Sequence, residues 1–337
     1  MIKEALQKVI EGHDLSSDEA RSVMETIMNG EASDAQIGGF LVAMRLKGET
    51  VREIASFTRV MREKATRIDA GAKTDVLDTC GTGGDGAHTF NISTVTAFVA
   101  AGAGITVAKH GNRSVSSECG SADVLKELGI NIDITPDKVS ECLRKVGISF
   151  LFAPKLHASM KHAIGPRREL GIRTFFNILG PMTNPAGANR QLIGVYSAGL
   201  VEKIAGVLSE LGSARAFVVH GGDGLDEVTT TRETLVAEVK NGLVMVSTFN
   251  PGDMGIERAF PQNLAGGDAS ENAALFTSVL SGEKGPKRDI VLVNSAFAIC
   301  AGGRAETPKD GIELARNSID SGAAMAKFEA LRECTNS

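Results

Sequence analysis

Four of the six residues 81–86 are glycine: Gly81, Gly83, Gly84 and Gly86. The stretch Asp78-Thr79-Cys80-Gly81-Thr82-Gly83-Gly84-Asp85-Gly86 leaves backbone N–H groups uncovered by side chains. Its continuation, Ala87-His88-Thr89-Phe90-Asn91-Ile92-Ser93-Thr94, leads into a run of helical composition. Bare N–H groups followed by the positive end of a helix make an anion site, and the number of donors suits a diphosphate. The loop is not a P-loop, because it lacks the Lys-Ser/Thr end. Nor does it have the G-x-G-x-x-G spacing of a dinucleotide fold. Taken alone, it also reads as an ordinary tight turn between a strand and a helix.

A second donor-rich stretch, Lys109-His110-Gly111-Asn112-Arg113-Ser114-Val115-Ser116-Ser117, carries two cations, an amide and three hydroxyls. A charged surface loop would look similar. Two such loops after neighbouring strands are more simply explained by one shared polyanionic ligand. Adjacent acids Asp226 and Glu227, in the glycine-rich run His220-Gly221-Gly222-Asp223-Gly224-Leu225, suit magnesium, which takes one or two protein carboxylates together with phosphate. In isolation they are also a polar turn. Arg167 and Arg168 have one acid beside them, Glu169, and so suit either a carboxylate ligand or solvent.

Positioning these groups requires strands that end together. Residues 1 to about 68 read as four helices, with capping-box spacing at Ser16 and Glu19, Ser33 and Gln36, and Thr50 and Glu53. Gly12, Asn29-Gly30 and Gly48 supply the stops. Gly38-Gly39 inside the third helix costs about 1 kcal/mol per glycine relative to alanine. Close approach within the domain or across a dimer interface would compensate, and the interface is the favoured expectation. From Lys73 onward, strands are expected at 75–78, 105–108, 148–152, 190–196 and 216–219. Helices are expected between them at 93–103, 121–128, 137–146 and 200–211. A hairpin about Asn241-Gly242 follows, then helices at 269–280, 288–301 and 310 to about 331. Alternation of this kind implies a mainly parallel sheet covered by helices, with ligands beyond the carboxyl ends of the strands.

The 337 residues, 42% apolar and 23% charged, suffice for one large domain or two and for a substantial core. A net charge of −5, no tryptophan and a single tyrosine argue against a nucleic-acid partner. Five cysteines (Cys80, Cys119, Cys142, Cys300, Cys334) without a C-x-x-C pair disfavour a disulfide framework and a zinc site, and fit a reducing cytoplasm. No signal peptide is legible at the start and no apolar run approaches a bilayer span, so a soluble protein is expected.

G-T-G-G-D-G, T-F-N-I-S-T, K-H-G-N-R-S-V-S-S, G-I-R-T-F-F-N-I-L-G-P-M-T-N-P and G-L-D-E, in this order over the whole chain, resemble the anthranilate phosphoribosyltransferase family of tryptophan biosynthesis. The resemblance implies an α/β fold of the nucleoside phosphorylase-like class: a small all-helical domain (1–70, with a returning segment at about 167–187) and a large α/β domain (71–337). It implies a homodimer joined through the helical part. It assigns phosphoribosyl pyrophosphate to Gly81, Gly84, Asp85, Thr89, Asn91, Ile92, Ser93 and Thr94, and to Lys109, His110, Gly111, Asn112, Arg113, Ser114, Val115, Ser116, Ser117 and Ser121. Anthranilate falls to Gly81, Asn112, Arg167, His110 and His157, with Arg167 facing its carboxylate. Ser93, Asp226 and Glu227 would hold Mg2+, with two ions per subunit. His157 reads as well as a packed helix histidine. Glu118 beside the second loop and His88 within the first depart from what an anion site calls for. A pyrimidine nucleoside phosphorylase of the same fold and a silent nucleic-acid-binding relative are the competing expectations.

Overall fold

The computed structural model describes residues 2–71, 75–113 and 119–337. Helices α1 (Ile2–Ile10), α2 (Ser17–Met28), α3 (Asp34–Lys47) and α4 (Val51–Lys64) open the chain, and all three expected capping boxes form. Each box satisfies backbone N–H groups that have no partner inside the helix. The third goes further, because the Glu53 carboxylate is fully buried. It accepts from Leu15 N at 2.9 Å, Thr50 N at 2.8 Å, Thr50 Oγ1 at 3.0 Å and Lys47 Nζ at 2.9 Å. One acid thus ties the approach to α2, the end of α3 and the start of α4. At Gly38 an added Cβ would meet nothing within 4 Å, and at Gly39 it would touch Leu6 at 3.6 Å, so among the described residues no tight helix contact requires these glycines.

The chain continues through β1 (Leu77–Asp78), α5 (Ile92–Gly102), β2 (Val107–Gly111), α6 (Ser121–Glu127), α7 (Pro136–Lys145) and β3 (Ile148–Phe152). The short α8 (Ala153–Leu156), α9 (Lys161–Leu170) and α10 (Phe176–Leu179) lead to β4 (Arg190–Gly194), α11 (Val201–Glu210) and β5 (Arg215–Gly221). The hairpin β6 (Thr234–Lys240) and β7 (Leu243–Phe249) turns at Asn241 and Gly242, both left-handed (φ 53° and 77°), as a two-residue turn of the favoured twist requires. Helices α12 (Ala269–Leu280), α13 (Pro286–Ala301), α14 (Pro308–Asp320) and α15 (Ala323–Asn336) complete the chain.

Among the described residues the sheet has seven strands in the order β3-β2-β1-β4-β5-β6-β7, parallel from β3 to β5 and antiparallel from β5 to β7. Consecutive strand residues face opposite sides. Leu192 and Phe217 join the core under α5 and α12 to α15, while Ile193 and Val218 join the core shared by α1 to α4 and α11. Phe175 lies in this second core, stacked on Phe57 with ring centroids 4.6 Å apart.

Four expectations are corrected, the first being β1, which begins at Leu77, two residues later than expected. Strand β2 starts two residues late and runs through Gly111, so Lys109 and His110 are strand residues paired with Phe150 and Leu151, not loop residues. The cause is the end of α5: Gly104 is left-handed (φ 87°) and Ile105 N bonds back to Ala100 O, which uses up the residues expected to begin the strand. The last helix is two, broken at Gly322 (φ 77°). Strand β4 ends at Gly194, two residues short of the expected Tyr196.

Candidate active site

Strand β1 has β2 on one side and β4 on the other, so the order of the chain across the sheet reverses here and a crevice opens beyond the carboxyl ends. The glycine loop leaves β1 at this point. Thr82 N donates to Gly194 O at the end of β4 (2.9 Å), and Thr82 Oγ1 accepts from Tyr196 N (3.1 Å). Gly83, Gly84 and Gly86 have φ of 63°, 77° and 72°, a region that a side chain makes costly. Gly83 N donates to Asp226 Oδ2 at 2.7 Å. A Cβ at Gly194 would land on the Asp226 carbonyl oxygen, so that glycine is what lets the acidic loop approach.

Helix α5 begins without a side-chain cap: Asn91 turns its amide to Cys119 O (3.1 Å) instead. Glu227 fills the gap, its Oε1 accepting from Ser93 N at 3.1 Å. Ile92 is buried in the apolar core and can offer only its backbone to a ligand. Thr94 Oγ1 meets Ser121 Oγ at 3.1 Å. Lys109, only 3% exposed, reaches from β2 to Ser93 Oγ (3.2 Å) and Thr79 O (3.2 Å). Asp85 holds Ala87 N at 3.2 Å and faces Asp226 N at 3.4 Å. His88 has positive φ (52°), its carbonyl accepts from Gly266 N at 2.9 Å, and Thr89 bridges Ala265.

The acids crowd one another. Burial, then the neighbouring Asp85, pushes the Asp226 carboxyl up to about 7. Burial and Asp226 push Glu227 well above the ordinary range, against the pull of Lys109.

His110 and His157 form a second group. His110 Nδ1 lies 3.2 Å from the Gly180 carbonyl, which can only accept, so Nδ1 carries the proton there and Nε2 is left to accept. His157 Nε2, at 3.2 Å, is then the donor, and His157 Nδ1 is a buried acceptor without a partner among the described residues. Burial and the facing ring hold His110 down at about 3, and burial holds His157 at about 4. Both rings are neutral. Asp78, Cys80 and His110 place ligand-type atoms within 4.8 Å of one another, and both Asp78 and His110 already have protein partners. Asp78 is engaged by Asn184 Nδ2 (2.8 Å) and His110 N (3.1 Å), and burial pushes the Cys80 thiol up, keeping it protonated.

Asn112 and Arg113 are exposed just beyond β2, where Asn112 O accepts from Ala122 N at 3.3 Å and the Arg113 guanidinium lies 5.9 Å from the Phe152 ring centre. Ser114, Val115, Ser116, Ser117 and Glu118 lie outside the described residues. Arg167, on α9, stands apart from the loop's hydrogen bonds. It is half-buried against Phe176 (5.0 Å to the ring centre), burial draws its guanidinium below the usual range, and it has no acidic partner among the described residues.

Comparison with known proteins fits this geometry. Residues 3–65 match the description "Glycosyl transferase family, helical bundle domain", and residues 73–325 match "Glycosyl transferase family, a/b domain". The anthranilate phosphoribosyltransferase of Pelobacter propionicus is 55% identical over 348 residues, covering 99% of each chain. The chain belongs to the anthranilate phosphoribosyltransferase family. The transferase of Pelotomaculum thermopropionicum is 57% identical, over 99% of this chain and 97% of its own. The crystal structure of the Thermus thermophilus transferase superposes with a TM-score of 0.94 at 42% identity, covering 99% of each chain. The Saccharomyces cerevisiae transferase in complex with PRPP and Mg gives a TM-score of 0.89 at 28% identity, over 99% of this chain and 98% of its own.

Set beside these transferases, the sequence reading passed over four features of the crevice. Thr79 braces both Lys109 and, through Oγ1, the Ser93 carbonyl at 3.0 Å. Gly194 admits Asp226, Tyr196 holds Thr82, and Arg173 donates to the Gly84 carbonyl. Thr79 lies in the stretch 78–86 and Arg173 in the motif G-I-R-T-F-F, so both had a signal in the sequence as polar residues beside the glycine loop or the arginine segment. Gly194 and Tyr196 gave no local sign.

Proposed function

We propose that the crevice between β1 and β4 is where this transferase moves the phosphoribosyl group of 5-phosphoribosyl 1-pyrophosphate onto the amine of anthranilate. The products are N-(5-phosphoribosyl)anthranilate and pyrophosphate, and the reaction is the second step of the tryptophan branch. One observation carries the assignment of the donor site. Gly83 N–H of the glycine loop and Ser93 N–H at the start of α5, neither engaged by a backbone carbonyl, are both held by carboxylates, Asp226 on Gly83 and Glu227 on Ser93. These two acids hold the places where a pyrophosphate would bind, and burial together with their mutual crowding disfavours the charged form of both.

A divalent cation would relieve that crowding and let both carboxylates ionise. Asp226, Glu227 and the hydroxyl of Ser93 are oxygen donors of the kind Mg2+ takes, and two ions per subunit are proposed. When bound, the metal offsets charge growing on the departing pyrophosphate. Gly81, Gly84, Asp85, Thr89, the residues 91–94, Lys109 to Ser117 and Ser121 bind the donor in this reading. The loop N–H groups and Lys109 stabilise the leaving group. Anthranilate binds against Gly81, Asn112, His110 and His157, with Arg167 on its carboxylate. Its aromatic amine is a neutral nucleophile at pH 7, and the neutral imidazoles of His110 and His157 leave it so. Holding amine and anomeric carbon in line can contribute roughly 7 to 11 kcal/mol.

The helical unit is proposed as residues 1–70 with the returning segment 167–187, supported by Phe175, Phe176, Leu179 and Met182 sharing a core with α1 to α4. A homodimer through this unit is supported by the open surface at Gly38 and by exposed Ile10 and Leu46, and sedimentation tests it. The activity is tested by mixing the protein with anthranilate, phosphoribosyl pyrophosphate and Mg2+ and following anthranilate fluorescence with and without chelator. Loss of fluorescence that stops with chelator supports the reading. No loss while phosphoribosyl pyrophosphate still binds overturns the acceptor assignment.

A further inference from the structure

Arg173 sits between α9 and α10, just after Gly171, which closes α9 in the left-handed conformation (φ 60°). Its guanidinium donates to the carbonyl oxygen of Gly84 and lies 4.1 Å from the centre of the Tyr196 ring. Tyr196 in turn donates its backbone N–H to Thr82 Oγ1 at 3.1 Å. Both contacts therefore end on the glycine loop. Arg173 has no acidic partner among the described residues and is exposed, so ion pairing within the protein does not account for its placement.

The loop has few means of holding its own shape. Three left-handed glycines supply no side chains, and the backbone ties of Thr82 and Gly83 leave the Gly84–Asp85 peptide to be fixed from outside. A peptide unit is planar, with its C=O and N–H pointing in opposite directions. Whatever fixes the Gly84 carbonyl therefore also fixes where the Asp85 N–H points. A charged donor does this more firmly than a neutral one. A planar guanidinium can lie on the tyrosine ring while it donates, which a lysine ammonium cannot reproduce.

We infer that Arg173 is a positioning residue for the known reaction: by pinning the Gly84 carbonyl it holds the glycine loop in the shape that receives the pyrophosphate of the donor. The inference rests on the proposed donor site in this loop. It assigns Arg173 no contact with either substrate. Arg167, six residues earlier and across the Gly171 bend, keeps the separate task of the acceptor carboxylate.

The test compares wild type with Arg173→Met, which keeps apolar cover on Tyr196 and removes the donors, and with Arg173→Lys. Steady-state kinetics are measured with each substrate varied in turn, and binding of phosphoribosyl pyrophosphate with Mg2+ is measured by calorimetry. The expected result is a KM and Kd for phosphoribosyl pyrophosphate raised about 10-fold or more in Arg173→Met, the loss typical of one charged hydrogen bond. The anthranilate KM should stay within about 2-fold, Arg173→Lys should fall between, and added guanidinium ion should restore part of the affinity of the Met variant. Wild-type donor affinity in Arg173→Met overturns the inference. An equal rise in both KM values also overturns it, because that marks a general structural role. Failure of the underlying donor-site reading would instead show in the wild type, as no binding of phosphoribosyl pyrophosphate at all.

Discussion

The Asp226 carboxylate accepts the Gly83 backbone N–H at 2.7 Å, inside the loop proposed to receive pyrophosphate. Burial and Asp85 push this carboxyl up to about 7, so its charged form is disfavoured where it stands. Replacing the pair by Asp226→Asn and Glu227→Gln keeps shape and hydrogen bonding while removing the charge. Turnover should fall by about 100-fold or more, comparable with losing an oxyanion contact, and the response to added Mg2+ should flatten. A magnesium titration of initial rates checks this, and near-normal turnover would remove the metal assignment.

Gly194 lets the acidic loop lie against the end of β4. A methyl group there would land on the Asp226 carbonyl oxygen, while Gly194 O also anchors Thr82 N at 2.9 Å. Gly194→Ala should therefore displace Asp226 without adding or removing charge. Turnover is expected to drop about 100-fold, as with loss of a positioned charge, and donor affinity with it. Unchanged kinetics in a folded Gly194→Ala protein would mean that the loop tolerates the shift and that its close approach is not needed.

Much of this was legible because it was local. Ser16, Ser33 and Thr50 each announced a helix start through a partner three residues on, and the three boxes form as read. Asn241-Gly242 announced its hairpin in the same way. What stayed hidden depended on partners distant in the chain. Lys109 reads as a loop cation until the turn at Gly104 shifts β2 and buries it. Arg173 acquires its task only when it meets Gly84, 89 residues away in sequence. A glycine such as Gly194, required by the approach of Asp226, carries no mark of that requirement in its neighbours.

Arg167 stacks on Phe176 at 5.0 Å, and burial disfavours its charge, yet an arginine remains protonated and must find an anion or water. If that anion is the acceptor's carboxylate, Arg167→Ala should raise the anthranilate KM by about 10- to 100-fold, the range of one charged hydrogen bond. The phosphoribosyl pyrophosphate KM should move by less than about 2-fold. Initial rates with each substrate varied separately decide the matter, and equal damage to both would show that Arg167 does not serve the acceptor.

Glu53 is fully buried and holds Leu15 N, Thr50 N and Lys47 Nζ at 2.8 to 2.9 Å. Glu53→Ala leaves Lys47 with Asp14 (2.7 Å) as its remaining acidic partner among the described residues, and removes the acceptor of the buried Leu15 N–H and the half-buried Thr50 N–H. Breaking a buried pair from one side costs about 3 to 5 kcal/mol. Urea unfolding should show a loss of that size, and a loss below about 1 kcal/mol would mean that water replaces the carboxylate at little cost.

The Nε2 atoms of His110 and His157 meet at 3.2 Å, and the rings are held down at about 3 and about 4 by burial, His110 also by the neighbouring ring. In the unfolded chain a histidine titrates near 6.5. Between that value and the folded values the unfolded state binds more protons, so the stability these rings contribute is fully present above about pH 6.5. It is lost as the pH falls toward 4. At pH 5 each ring accounts for a loss on the order of 1 to 2 kcal/mol. Glutamine at position 157 can still donate an amide N–H to His110 Nε2 but cannot take up a proton. The fall in unfolding free energy between pH 7.5 and pH 5 should therefore be smaller in His157→Gln than in wild type, by on the order of 1 to 2 kcal/mol in paired urea titrations. Identical falls would mean that His157 is protonated in the folded protein at pH 5, and the neutral, proton-sharing pair would have to be abandoned.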